Sequence, residues 1–232
     1  MHKSFSTDLA KKKSFAHNPQ HLLILLLIII NLYINKRKEI KTLTGHTGVA
    51  RNAVYSPDGQ TIVSCSNDST LILWDAVRFD SLHVLKGHVG SVNDCVFSPD
   101  SRTVASASSD QTIGIWDVET GENCAYLKGY TGAVTSVCFS KDGRYLLSSS
   151  NDGSVKVWDI AREEIVHSLD GYTHGVNIAL FGNDDRTILS VGQDHTIRVS
   201  DFPPIQELIY QTKLKFGSRW LSDDERKRFY LK

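Results

Sequence analysis

A chain of 232 residues has room for one large domain or two small ones, and its 41% hydrophobic content is enough for a core. Its formal net charge is zero only by cancellation: residues 1–41 hold 8 Lys/Arg against 2 acids, residues 42–201 hold 11 against 20, and residues 202–232 hold 7 against 4. The acidic body argues against nucleic acid as a partner, since phosphate backbones are bound by basic faces. Cys65, Cys95, Cys124 and Cys138 form no CxxC pair and have no histidine at ligand spacing, so neither a zinc site nor a disulfide framework is expected. They read as small buried hydrophobes within strands, and a reducing, cytoplasmic compartment is the default.

Residues 1–35 read as an N-terminal extension. Residues 1–20 are polar and basic without periodicity, which is the composition of a disordered segment. Leu22 to Ile34 is almost wholly aliphatic and is flanked by Lys11-Lys12-Lys13 and Lys36-Arg37-Lys38. Thirteen residues make about 20 Å of helix, short of the roughly 30 Å bilayer core. No small-residue cleavage site follows. A short membrane anchor with snorkelling lysines, a strand covering an open sheet edge and an extension without a role all remain open.

From residue 36 to residue 201 the chain repeats. Gly45-His46, Gly87-His88, Gly129-Tyr130 and Gly171-Tyr172 recur every 42 residues, as do Trp74-Asp75, Trp116-Asp117, Trp158-Asp159 and Ser200-Asp201. Between them recur a turn beginning at Ser56, Ser98, Ser140 and Gly182, and an aspartate at 68, 110, 152 and 194. The units are therefore residues 45–86, 87–128, 129–170 and 171–201. Within the second unit, Ser91–Ser98, Thr103–Ser108, Thr112–Asp117 and Asn123–Lys128 read as four short antiparallel strands, with no room for a crossover helix. Alternation along the first strand puts Val92, Asp94, Val96 and Ser98 on one side and Asn93, Cys95 and Phe97 on the other.

These residues resemble the WD-repeat family, over residues 39–201 or about 70% of the chain. The resemblance implies an all-β fold, a β-propeller of four repeats in an incomplete or small ring. Residues 38–44 would then be the outer strand of a blade that the chain lacks, or would close the ring as the outer strand of the fourth blade. It also implies buried networks of a His, a Ser, an Asp and the Trp: His46, Ser64, Asp68 and Trp74 in the first repeat, His88, Ser106, Asp110 and Trp116 in the second. The later repeats keep Ser148, Asp152 and Trp158, then Ser190 and Asp194, and their Tyr130 and Tyr172 are expected to reach Asp152 and Asp194. A recurrence every 42 residues marks these sets as structural rather than as catalytic triads. The third and fourth blades are expected to be less stable than the first two.

Residues 202–232 break the pattern at Pro203-Pro204. Ile205, Leu208, Ile209 and Leu214 suit one helix face, and Ser222-Asp223-Asp224-Glu225 suits the start of a second helix. A tail of this kind resembles the segment after the last repeat in many bacterial WD-repeat proteins.

The resemblance points to a non-catalytic scaffold or regulatory module that binds other proteins. Its candidate binding positions are Arg51, Asn93, Thr135 and Asn177 on the first strands, with Asn67, Ser109, Asn151 and Gln193 before each aspartate. No Walker, HExxH, GxSxG or dinucleotide motif occurs, so no catalytic residue, metal or cofactor is expected. A membrane-tethered sensor anchored through residues 22–34, and the detached C-terminal propeller of a signalling protein, are the alternatives. A homodimer that completes the ring is a further expectation.

Overall fold

The computed structural model describes residues 40–202. The readings made for residues 1–35 and for the helical tail lie outside the described residues. The chain divides into Met1–Thr42 and Leu43–Lys232, and the blades all belong to the second unit.

Blade 1 is β1 (Ala50–Tyr55), β2 (Thr61–Ser66), β3 (Thr70–Asp75) and β4 (Ser81–Lys86). Blade 2 is β5 (Val92–Phe97), β6 (Thr103–Ser108), β7 (Thr112–Asp117) and β8 (Asn123–Lys128). Blade 3 is β9 (Val134–Phe139), β10 (Tyr145–Ser150), β11 (Val155–Asp159) and β12 (Glu164–Leu169). Blade 4 has three strands, β13 (Val176–Phe181), β14 (Thr187–Gly192) and β15 (Ile197–Asp201). In each sheet consecutive strands pair antiparallel in chain order, and no helix occurs among the described residues.

The hairpins are set by the recurring turn. Ser56 Oγ donates to Asp58 Oδ1 at 2.6 Å and accepts the Thr61 N–H at 2.9 Å, and Ser98 and Ser140 do the same in blades 2 and 3. The fourth residue of this turn is left-handed in all four blades, and only two blades place glycine there, Gly59 and Gly143, both with φ near 72°. Ser101 (φ 64°) and Asp185 (φ 55°) adopt the same geometry with a Cβ.

Three of the four cores lie between blades, and the fourth, Ile62, Ile72 and Trp74, belongs to blade 1 and packs under Leu43, Ala76 and Phe79. Val63, Leu71, Leu73 and Leu85 of blade 1 meet Val92, Cys95, Phe97, Val104 and Trp116 of blade 2. The same columns meet at the next two junctions. Burying one such side chain contributes about 1.5–3 kcal/mol, so a junction outweighs any single polar network within a blade. The first strands β1, β5, β9 and β13 lie side by side in order. Among the described residues blades 1 and 4 share no core cluster, and both carry exposed apolar side chains: Tyr55 on blade 1 is 63% exposed, and Ile197 and Val199 on blade 4 are 70% and 72% exposed, while Ile62, Ile72 and Trp74 of blade 1 are buried.

Two readings of the sequence need correction. The simple alternation in β5 fails because the strand carries a bulge: Val92 pairs with Ser108 but Asp94 with Ala107, leaving Asn93 as the extra residue. Val92 therefore joins Cys95 and Phe97 in one cluster, while Val96 faces the next blade. Not every cysteine is buried either. Cys65 and Cys95 are, but Cys124 is exposed because a bulge at Asn123–Ala125 turns it out of the ladder.

Candidate partner-binding face

The polar columns form closed networks. In blade 2, His88 Nδ1 lies 2.7 Å from Asp110 Oδ2 and Nε2 lies 2.8 Å from Ser106 Oγ, which accepts the Trp116 indole N–H at 2.8 Å. Blade 1 repeats this with His46 at 3.1 Å from Asp68 and 2.8 Å from Ser64, and Trp74 at 2.9 Å from Ser64. Asp68 also accepts the Thr47 N–H at 2.7 Å and the Thr70 hydroxyl at 2.6 Å. Burial pulls the Asp68 and Asp110 carboxyls upward, but the hydrogen bonds from their threonines, backbone and histidines outweigh it and hold both below the ordinary carboxylate range. Burial lowers the His88 imidazole against the pull of Asp110. A neutral ring that donates from Nδ1 and accepts at Nε2 satisfies every member of the set. Ser106 is fully buried, so no substrate reaches its hydroxyl, and the set is a strut rather than a triad.

In blades 3 and 4 the tyrosines do not reach the aspartates. The Tyr130 hydroxyl bonds Ser148, and both oxygens accept from the Trp158 indole, at 3.1 Å and 3.0 Å. The Tyr172 hydroxyl bonds Ser190. A phenol is longer than an imidazole and fills the gap to the serine, leaving nothing to bond the carboxylate. Asp152 is held by the Thr131 N–H at 2.9 Å and the Ser154 hydroxyl at 2.6 Å, and Asp194 by the Thr196 hydroxyl at 2.6 Å and Arg198 at 3.0 Å.

Two cations escaped the sequence reading. Lys156 Nζ stands 4.5 Å above the Tyr130 ring, and the Arg198 guanidinium stands 3.7 Å above the Tyr172 ring. Aligned by the 42-residue step, that column reads Ile72, Gly114, Lys156 and Arg198. A cation appears where tyrosine replaces histidine, a covariation within the chain that was available to be read.

Four of the eight candidate binding residues fall on one structural feature. The bulge found at Asn93 recurs in the other first strands, between Ala50 and Asn52, between Val134 and Ser136, and between Val176 and Ile178. Arg51, Asn93, Thr135 and Asn177 are the four bulge residues, thrown out of the ladder. Arg51 Nε donates to Asn67 Oδ1 at 2.6 Å, and the Asn93 amide meets Ser109 at 3.1 Å. Gln193 Nε2 spans Asn177 and Asn151, both at 3.1 Å. Thr135 turns instead to Ser149 at 2.7 Å. Asn93 and Thr135 are partly committed to the junctions, since each also donates to a carbonyl of the next blade, Val134 at 2.8 Å and Val176 at 2.6 Å. Arg51, Asn67, Ser109, Asn151, Asn177 and Gln193 stay exposed. No cluster of three or more His, Cys, Asp or Glu side chains suited to a metal occurs among the described residues.

The family model described as WD domain, G-beta repeat matches residues 37–75, 79–117, 121–159 and 163–201. The chain belongs to the WD-repeat family. Each match begins on the segment before the Gly-His or Gly-Tyr and ends on the Trp-Asp or Ser-Asp pair, so a WD repeat straddles two blades. Among solved structures it is similar to one titled "Structure of U3-55K", at 28% identity and a TM-score of 0.66. The match covers 70% of this chain and 52% of the other, so the WD-repeat chain described here spans about half the length of that one.

Proposed function

We propose that this WD-repeat chain is a non-catalytic scaffold or regulatory binding module whose protein partner docks on the bulge face. The observation that carries this is the coincidence of the four first-strand bulges with Arg51, Asn93, Thr135 and Asn177. Bulges re-aim side chains at functional surfaces, and here the same distortion is repeated in register on every blade. The groups it presents are one guanidinium, amides and hydroxyls, suited to a partner read through hydrogen bonds more than through net charge. Pairing with neighbouring amides limits the rotamer freedom lost on binding.

The test is a fourfold variant, Arg51→Ala, Asn67→Ala, Asn151→Ala and Gln193→Ala, in the full chain. Proteins retained by the immobilised parent from its own host extract should be lost from the variant, with the melting temperature unchanged. Equal retention by both chains refutes the assignment of the face.

A further inference from the structure

Blade 4 and the first strand of blade 1 expose complementary halves of one blade junction, and we infer that a second copy of this chain brings them together. Placed by the 42-residue step, Leu180, Leu189, Ile197 and Val199 on blade 4 occupy the columns of Val54, Val63, Leu71 and Leu73 on blade 1. Val63, Leu71 and Leu73 are fully buried against blade 2, whereas all four blade 4 residues are exposed. On the opposite end, Ala50, Ala53 and Tyr55 occupy the columns of Val92, Cys95 and Phe97, which are buried in the first junction. A blade 1 set on another copy's blade 4 continues a junction that the molecule already makes three times.

Leu43, just before blade 1, is already placed for this. Leu43 packs on Ile62, Ile72 and Trp74. That is the relation Leu85 of β4 has to Trp116 of the following blade. Residues 39–44 occupy the columns of Ser81–Lys86, the outer strand β4, yet Ile40 to Thr44 form no strand and Ile40 is exposed. Blade 4 ends at β15 and lacks an outer strand among the described residues. The segment that one copy carries before blade 1 thus stands in the column of the outer strand that the described part of blade 4 lacks.

The polar chemistry of the junction agrees. The inner column reads Asn52, Asp94, Ser136 and Ile178. Asp94 accepts the Val137 N–H at 3.1 Å, and Ser136 accepts the Ala179 N–H at 3.0 Å, each from the next blade. Ile178 can accept nothing, and it does not need to: the equivalent donor, the Ala53 N–H, is bonded at 2.8 Å by its own Asn52 side chain. That donor is not stranded when the two faces meet. Asn177 carries the same amide with which Asn93 reaches the Val134 carbonyl, and its counterpart across the new junction is the carbonyl of Ala50 in the partner copy. Two copies related by a two-fold axis make this junction twice, giving eight blades, within the range of about 4–8 that propellers use.

The experiment is light scattering of the full chain in mild detergent, which disperses association through residues 22–34. The expected mass is twice 25.9 kDa. Val199→Glu and, on the opposite face, Tyr55→Glu should each halve it, with circular dichroism unchanged. Because either variant can misfold, a cross-link provides the second arm. Asn52 touches Asp94 across the first junction at 2.6 Å, so Asn52 and Ile178 of different copies are the matching pair. In a Cys124→Ser background, Asn52→Cys with Ile178→Cys should give a dimer band with a short bismaleimide, and neither single variant should. A monomeric parent, a dimer that ignores both glutamates and does not cross-link, or a ladder beyond the dimer overturns the proposal. The quadruple alanine variant above leaves these faces intact, so loss of dimerisation and loss of partner capture are separable.

Discussion

Blade 2 and blade 4 began from the same 42-residue plan and solve it differently. Blade 2 lies between two others, and its His88, Ser106, Asp110 and Trp116 are joined with no polar group left over. Blade 4 has Tyr172 for the histidine and Ser200 for the tryptophan. Its ring stacks under Arg198, and its outward face is open. The first arrangement derives its rigidity from burial and leaves no tolerance for a missing member. The second buries Ser190 and the Asp194 side chain but leaves Tyr172 and Arg198 partly exposed, so water replaces part of what a lost partner supplied. Burial draws a different line from the expectation that blades 3 and 4 form the weak half, and hydrogen exchange measured blade by blade tests one against the other. Blade 3, with Trp158 and Val157 buried, stands with blade 2, and exposure sets apart the two end blades.

The comparison breaks most sharply at the tryptophan. Trp116→Ala should cost about 3–5 kcal/mol, because it empties a fully buried site and strips the roof from His88. Removing the hydroxyls is gentler and more discriminating. Ser106→Ala leaves both His88 Nε2 and the Trp116 indole unpaired in a dry interior, at about 1–3 kcal/mol for each. Ser190→Ala orphans only the partly exposed Tyr172 hydroxyl and should cost about 0.5–1 kcal/mol. Urea titration of both variants, followed by tryptophan fluorescence, would show the gap, and equal losses would mean the two networks are equivalent.

Much of this was legible because the columns repeat. Strands Thr103–Ser108, Thr112–Asp117 and Asn123–Lys128 coincide with β6, β7 and β8, since turn residues bound them on both sides. The first strand was harder. A bulge costs one residue of register without a signature in composition, so simple alternation puts Val92 on the wrong face. The commitment of Asn93 and Thr135 to the next blade was hidden for a related reason: it depends on the distance between sheets, which no spacing within one sheet encodes. The exposure of Ile197 and Val199 was equally invisible. Both have strand-core side chains, and only the absence of a neighbour makes them surface.

Two predictions sharpen the contrast around His88. Gly114 is the column where blade 4 has Arg198, and a Cβ there would lie 2.6 Å from the Trp116 indole nitrogen and 2.9 Å from His88 Nε2. Gly114→Ala should therefore cost about 1–3 kcal/mol by displacing the network. The second lever is pH. The His88 pKa is lowered by burial, so the unfolded chain binds more protons than the folded one below about pH 6.5. Stability contributed by the neutral ring is complete above that value and is lost as pH falls through the folded pKa. Blade 4 carries a phenol, Tyr172, in place of that imidazole. Below about pH 4 the depressed Asp110 and Asp152 carboxyls add a further loss of the same sign. Hydrogen exchange between pH 7 and 5 should loosen β6 and β7 while leaving β14 unchanged, and a uniform response along the chain would contradict the assignment to His88.

The smallest effect belongs to the cation that replaced the old plan. Arg198 lies over Tyr172 at 3.7 Å, donates to Asp194 and the Gly171 carbonyl at 3.0 Å each, and remains partly exposed. Solvent screens both the ion pair and the ring contact, so Arg198→Ala should cost about 0.5–1 kcal/mol. Arg198→Met tests which part matters. It keeps packing against the ring and discards the charge, so near-parent stability would show that Arg198 acts as a lid on the phenol. A loss as large as alanine's, shrinking in high salt, would show that the charge between Tyr172 and Asp194 holds the fourth blade in place of its missing tryptophan.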